Sequence, residues 1–234
     1  VTIPAMNPIT ASFRQARPQQ LADALQSARN YTLRLFDCLA HAGYDLPARV
    51  PHIATINPPL WELGHVAWFA EWYILRQAAS SHPADAIGHS LLTRGDDWFD
   101  SNTVAHRSRW TLDLPNAGSL KTYCNEVLDR VVDKLSREAN VDEALYPYRL
   151  VLAHEDMHGE ALLQAMQLLG VEAPAELAKG LIAPVAPREI RYPGGTIQLG
   201  GQQEGGFVFD NEKVSHPCYV PPFSIDATLV TNEQ

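Results

Sequence analysis

Apolar and small positions recur along this chain in four stretches at helical spacing. Leu21, Leu25, Ala28, Thr32, Leu35 and Leu39 step by four and three, which places them on one helical face, and Gly43 offers a left-handed stop. After a short proline-bearing connector, Asn57 is suited to cap and Pro58 and Pro59 to open a second helix, LWELGHVAWFAEWYILR. Trp61, His65, Trp68 and Trp72 share one stripe of that helix, and an aromatic stripe at this spacing reads as core. Residues 79–118 are rich in Ser, Asp, Gly, Pro and Asn without a sustained period, and read as a long irregular connector; such connectors are uncommon and usually functional. The third helix is SLKTYCNEVLDRVVDKL, with Leu120, Cys124, Val127, Val131 and Leu135 inward and Ser119 as cap. The fourth starts at Asp142, carries Val151, His154, His158, Leu162, Ala165 and Leu169 on one stripe, has Pro147 near its first turn and stops at Gly170.

The pattern then changes. Residues 171–188 hold five alanines and three prolines and read as a linker. Beyond it, IRYPGGTIQLGG, FVFDNEKV, HPCYVPPFSID and TLVTNEQ are short alternating or aromatic segments between turn residues, a β-rich pattern. The expected organisation is a mainly α chain: a four-helix bundle over residues 1–170, a linker over 171–188, and the first part of a second domain over 189–234.

Composition narrows the classes of function. Net charge is −9 with scattered lysines and arginines, so the basic stripe of a nucleic-acid binder is missing and small molecules are the expected partners. The largest apolar runs are broken by charges before membrane-spanning length. Cys38, Cys124 and Cys218 are far apart and odd in number, which indicates neither a disulfide framework nor a zinc ribbon and fits a reducing cytoplasm. The first twenty residues lack the basic-then-apolar pattern of a secretory signal.

The chemistry sits in three histidines. Two histidines four apart on a helix project from one face a turn apart, and His154 and His158 meet that condition on an inward stripe. A third ligand must come from another helix, and His65 lies mid-helix on the inward stripe of a neighbouring segment. A lone histidine on an apolar face is usually a satisfied core side chain, and a bare His-x-x-x-His often arises by accident on surface helices. Burying two imidazoles side by side is costly unless they share a ligand or find partners, which raises the weight of a metal here. Three imidazoles leave coordination positions open, as a reactive site requires, and they suit iron, zinc, copper or nickel alike. Glu160 lies about 200° around the helix from His158 and should not join the same ion. It is a candidate for an outer hydrogen bond to an imidazole, in competition with Glu155 and Asp156. The remaining histidines, His41, His52, His82, His89, His106 and His216, sit near turns or in loops and receive no role.

NPPLWELGHVAWFAEW and HEDMHGEALL resemble the His-x-x-Trp-Phe and His-x-x-x-His-x-Glu motifs of the DinB-like bundles in ergothioneine-type sulfoxide synthases. PGGTIQLGG, FVFDNEKVSHPCYVPPFSID and VTNEQ are similar to the opening of the α+β formylglycine-generating-enzyme-like, C-type-lectin-related domain that follows the bundle in those enzymes. The resemblance implies an oxidoreductase holding non-haem Fe(II) through His65, His154 and His158 and using O2 to join a donor to the imidazole C2 of hercynine. In the glutamylcysteine-using members a Gln commonly stands before the second motif histidine, where Met157 stands here, and the connector is richer in Arg than HRSRWTLDLPNAG, which offers Arg107 and Arg109 followed by Asp113. These departures imply a less anionic donor, with Met157 and Arg109 as substrate-binding candidates, and the nearest resemblance is to the selenoneine synthase branch, which uses a selenosugar. The resemblance also implies that the proton-donating tyrosine and much of the hercynine pocket belong to later parts of the second domain, so no catalytic acid is assigned. Three alternatives stand beside this reading: carbon–sulfur bond formation from glutamylcysteine or cysteine, a DinB-type thiol transferase using zinc or nickel as Lewis acid, and a non-catalytic bundle.

Overall fold

Helix α1, Pro18–His41, opens with proline at its first position, while the Gln20 side chain accepts a hydrogen bond from the Arg17 backbone N–H (3.0 Å). The computed structural model describes residues 13–78, 82, 86–175, 186, 188–201 and 206–230, and the chain divides into two compact units, Val1–Leu177 and Ala178–Gln234. All six positions expected on the inner face of α1, Leu21 to Leu39, are buried. Gly43 ends the helix at φ +85°, and Gly170 ends the last helix at φ +69°, a region where a Cβ would strain the backbone.

The second helix, α2 (Pro59–Ala70), is buried nearly all round because it packs on the other three long helices, which explains why its sequence is apolar on every side. Two details differ from the sequence expectation. Pro58 occupies the cap position, and the Asn57 side chain instead donates to Glu62 Oε1 (2.7 Å). Residues Glu71–Leu75 do not continue the α-helix but form a wider π turn, closed by the Arg76 N–H on the Glu71 carbonyl (2.9 Å). Glu71, at its start, is buried and accepts from Ser90 Oγ (2.8 Å), the Leu91 N–H and the Tyr123 hydroxyl.

The expected connector is more ordered than its composition suggests. Residues 79–81 and 83–85 lie outside the described part, but the stretch that follows contains a short helix α3 (Gly95–Phe99) and a 3-10 turn (His106–Trp110). Trp98, Phe99 and Trp110 are buried and anchor it; Trp110 donates to the Val50 carbonyl (2.8 Å). Helix α4 (Ala117–Leu135) begins two residues earlier than expected. Asn116, not Ser119, is its cap: the Asn116 Oδ1 accepts from the Ser119 N–H (2.9 Å). Helix α5 (Asp142–Leu169) starts where expected, but Pro147 is its sixth residue, past the first turn, so it leaves the Glu143 carbonyl without its usual intrahelical donor. Helix α5 packs mainly on α1 and also on α2.

A buried ion pair ties α1 to α5. Arg29 donates to both oxygens of Glu155 (2.7 and 3.1 Å) and to the Cys124 carbonyl (2.9 Å), so three helices meet at one guanidinium. Burial pushes the neighbouring Cys124 thiol up to about 11, with the Glu155 carboxylate adding to it. No helix among the described residues is long and apolar enough to cross a membrane.

In the second unit, β1 (Glu189–Tyr192) pairs antiparallel with β4 (Phe223–Asp226), and β2 (Gly195–Leu199) with β3 (His216–Val220). Tyr192 stacks on Phe223 across the first pair (4.9 Å). The segment FVFDNEKV forms a 3-10 turn, Asp210–Glu212, because Glu212 folds back to accept from the Phe209 N–H (2.9 Å). Much of the expected linker, 176–185 and 187, and the end of TLVTNEQ, 231–234, lie outside the described residues.

Removing one partner of the buried pair strands a charge, so Arg29→Ala should lower unfolding free energy by about 3–5 kcal/mol in urea titration, while the double change Arg29→Met with Glu155→Leu should recover most of it. The native state holds the Cys124 proton more tightly than the unfolded chain, where the value is about 8.5, so this thiol weakens the fold only as pH rises from there towards about 11. In native protein at pH near 8, Ellman's reagent should therefore label the partly exposed Cys38 and Cys218 and spare Cys124.

Candidate metal centre

Helices α2 and α5 cross so that His65 faces His154 and His158. Ring centroids are 5.1 Å apart for His65 and His154, 4.8 Å for His65 and His158, and 4.4 Å for His154 and His158. One nitrogen from each lies within 4.8 Å of the others, close enough for a single ion to reach all three. His65 and His154 are buried, whereas the His158 side chain keeps 18% exposure, so the cluster opens to solvent on the His158 side.

The partners of the outer nitrogens decide which nitrogens face inward. His65 donates from Nδ1 to the Phe99 carbonyl (2.7 Å), leaving the Nε2 lone pair for the centre. The Nδ1 of His158 contacts Glu62 Oε2, leaving its Nε2 inward as well. His154 Nε2 sits 3.2 Å from His158 Nε2. Two nitrogens each about 2.1 Å from a shared ion fall about 3 Å apart, so this spacing suits a pair of ligands. Burial holds His65 down at about 4, with His158 adding to the shift, and burial likewise holds His154 well below the ordinary imidazole value. Neutral imidazoles are the ligand form.

The three rings are held in three different ways. His65 is sandwiched against Trp61 (4.6 Å, 13°) and tied to a backbone carbonyl. His158 leans on a carboxylate. His154 lies flat on Phe69 (3.5 Å, 5°), and its buried Nδ1 has no hydrogen-bond partner among the described residues.

Gly64 makes the Phe99 contact possible. A Cβ at Gly64 would come within 2.2 Å of the fully buried Phe99 ring, so the absence of a side chain there lets the connector press against α2 and deliver its carbonyl to His65.

Sequence reasoning brought the three histidines together but missed Glu62. Glu160 is exposed and Glu155 is committed to Arg29; the carboxylate on the imidazole is Glu62, from the other helix. Its signal was present: a lone acid in LWELGHVAW, three residues before His65 on a helix with no polar face, must be buried and must have a partner. Interactions with His158 and Asn57 hold its carboxyl below the usual range despite the opposing effect of burial, which is the largest. Of the two substrate-binding candidates, Met157 is exposed on α5 beside His158. Arg109 is half-buried, with its guanidinium over the Trp61 ring (3.8 Å) and donating to Asn57 Oδ1 (2.7 Å).

The geometry thus brings three histidines from two helices into an open-sided cluster that could hold a metal ion. No protein-family profile matches the chain. It is similar to proteins named hercynine oxygenase from Mycolicibacterium smegmatis (29% identical over 225 residues, 92% of this chain and 49% of the relative) and Mycolicibacterium thermoresistibile (29% over 221 residues, 92% and 47%). A third, from Mycobacterium tuberculosis, carries the same name (28% over 226 residues, 92% and 49%). The chain spans about half the length of these curated relatives.

Gly64→Val should displace Phe99 and with it the acceptor of His65. A loss of about 1–3 kcal/mol in stability is expected from overpacking, together with weaker retention of bound metal on dialysis against a chelator.

Proposed function

We propose that this chain carries the metal-binding bundle of a non-haem Fe(II), O2-dependent oxidoreductase that acts on hercynine. The three-histidine cluster is the observation that carries the reading, and the similarity to hercynine oxygenases supports the substrate. Fe(II) held by His65, His154 and His158 would supply oxygen activation beside the bound substrate. The chain's own residues prepare that site. Phe99 and Glu62 fix the ring orientation of His65 and His158, and Trp61 and Phe69 wall off two imidazole faces from water. The exposed edge at His158 is the side from which substrate approaches.

For the donor we favour a selenosugar, joined through selenium to the hercynine imidazole C2. Met157 offers an apolar thioether beside His158, and the Arg109 guanidinium is already engaged by Asn57 and Trp61, so neither is poised to grip the carboxylates of glutamylcysteine. The bundle belongs, in this reading, to the DinB-like type, and the second unit to the formylglycine-generating-enzyme-like type.

The test is anaerobic reconstitution with Fe(II), followed by exposure to air with hercynine and a selenosugar, glutamylcysteine or cysteine, and mass spectrometry of the products. Stoichiometric iron and a selenium-bearing hercynine product are expected; a sulfur-bearing product alone would reassign the donor, and turnover with zinc but no oxygen consumption would point to Lewis-acid chemistry instead. His154→Ala and His158→Ala should each lose most of the bound iron, since one missing ligand of three also breaks the geometry. Full iron occupancy in either variant would remove the assignment.

A further inference from the structure

A chain of hydrogen bonds leads away from the histidine cluster towards the connector, and the reading above gives its outer members no role at the metal. Glu62 is buried, with one oxygen on His158 Nδ1 and the other accepting from Asn57 Nδ2 (2.7 Å). Asn57 in turn accepts from Arg109 Nη1 through its own oxygen (2.7 Å). The Arg109 guanidinium is held over Trp61, the indole that stacks on His65, and Trp61 Nε1 donates to the Trp98 carbonyl (2.7 Å).

Every polar end in this chain has one direction. Arg109 can only donate, which obliges Asn57 to present its oxygen to Arg109 and its amide N–H to Glu62. Glu62 then receives one donor on each side, and the carboxylate plane is fixed from both ends. An imidazole whose outer N–H meets a fixed carboxylate is held in one tautomer and made a stronger ligand.

We propose that Asn57 and Arg109 are positioning residues for His158: through Glu62 they set the orientation and ligand strength of that imidazole. Arg109, on this view, serves the metal ligand rather than the substrate's charge. The inference rests on the three-histidine reading and deepens it.

Metal affinity separates the two. In the full 234-residue chain, affinity for Co(II) is measured by chelator competition and the absorption bands of the bound ion are recorded. Glu62→Gln should weaken binding about 10–100-fold, the usual range for an outer partner of a ligand. Asn57→Leu and Arg109→Met should each weaken it several-fold and shift the bands, with Asn57→Gln restoring part of the loss. The decisive comparison is the double variant. If Asn57 acts through Glu62, then Asn57→Leu changes affinity little once Glu62→Gln is present; a packing role would give the same fold-loss in both backgrounds. Equal losses in both backgrounds, or wild-type affinity and spectrum in Asn57→Leu, overturn the proposal. Should Asn57→Leu fail to fold by circular dichroism, Arg109→Met, which keeps the stem against Trp61, supplies the same cycle. No binding of Co(II) by the unmodified chain would overturn the three-histidine reading itself, and this inference with it.

Discussion

A carboxylate that has lost its water must find donors inside the protein, and three such groups organise this bundle. Glu62, Glu71 and Glu155 are each nearly fully buried, and each is answered from a different part of the chain. Glu155 on α5 takes Arg29 from α1. Glu71, at the π turn, takes Tyr123 from α4 and the connector around Ser90. Glu62 on α2 takes His158 from α5 and Asn57 from the segment before its own helix. These pairings add position-specific contacts to the apolar packing, and the one between Glu62 and His158 ties α2 to α5 where the histidines meet.

The same constraint gives the histidine cluster its character. His65, His154 and His158 are chemically identical side chains in unequal surroundings: a backbone carbonyl, an aromatic face and a carboxylate. An anionic partner raises the basicity of an imidazole more than a carbonyl does, and a phenyl face hardly at all. The open side at His158 therefore coincides with the imidazole that has the anionic partner.

Much of this was legible in the residues. The inner face of α1 and the pairing of His154 with His158 follow from helical periodicity, and His65 follows from its place on the Trp61–Trp72 stripe. What escaped was set by side chains choosing between near-equal partners. Asn57 and Ser119 both look like caps, yet Asn57 is drawn to Glu62 and Arg109, and Asn116 outcompetes Ser119. The connector reads as irregular because its anchors, Trp98, Phe99 and Trp110, are spaced by the surface they fill and not by a period. Glu62 lies on α2 and its imidazole on α5: the partner of a histidine need not share its helix.

The flat contact between His154 and Phe69 has a mechanical corollary. A hydrogen bond at the rim fixes the direction of one ring nitrogen, whereas a parallel face fixes the plane of the whole ring through dispersion contacts. The His154 ring plane is thus set by a parallel aromatic face, with the neighbouring His158 Nε2 (3.2 Å) as the partner of its ring nitrogens among the described residues.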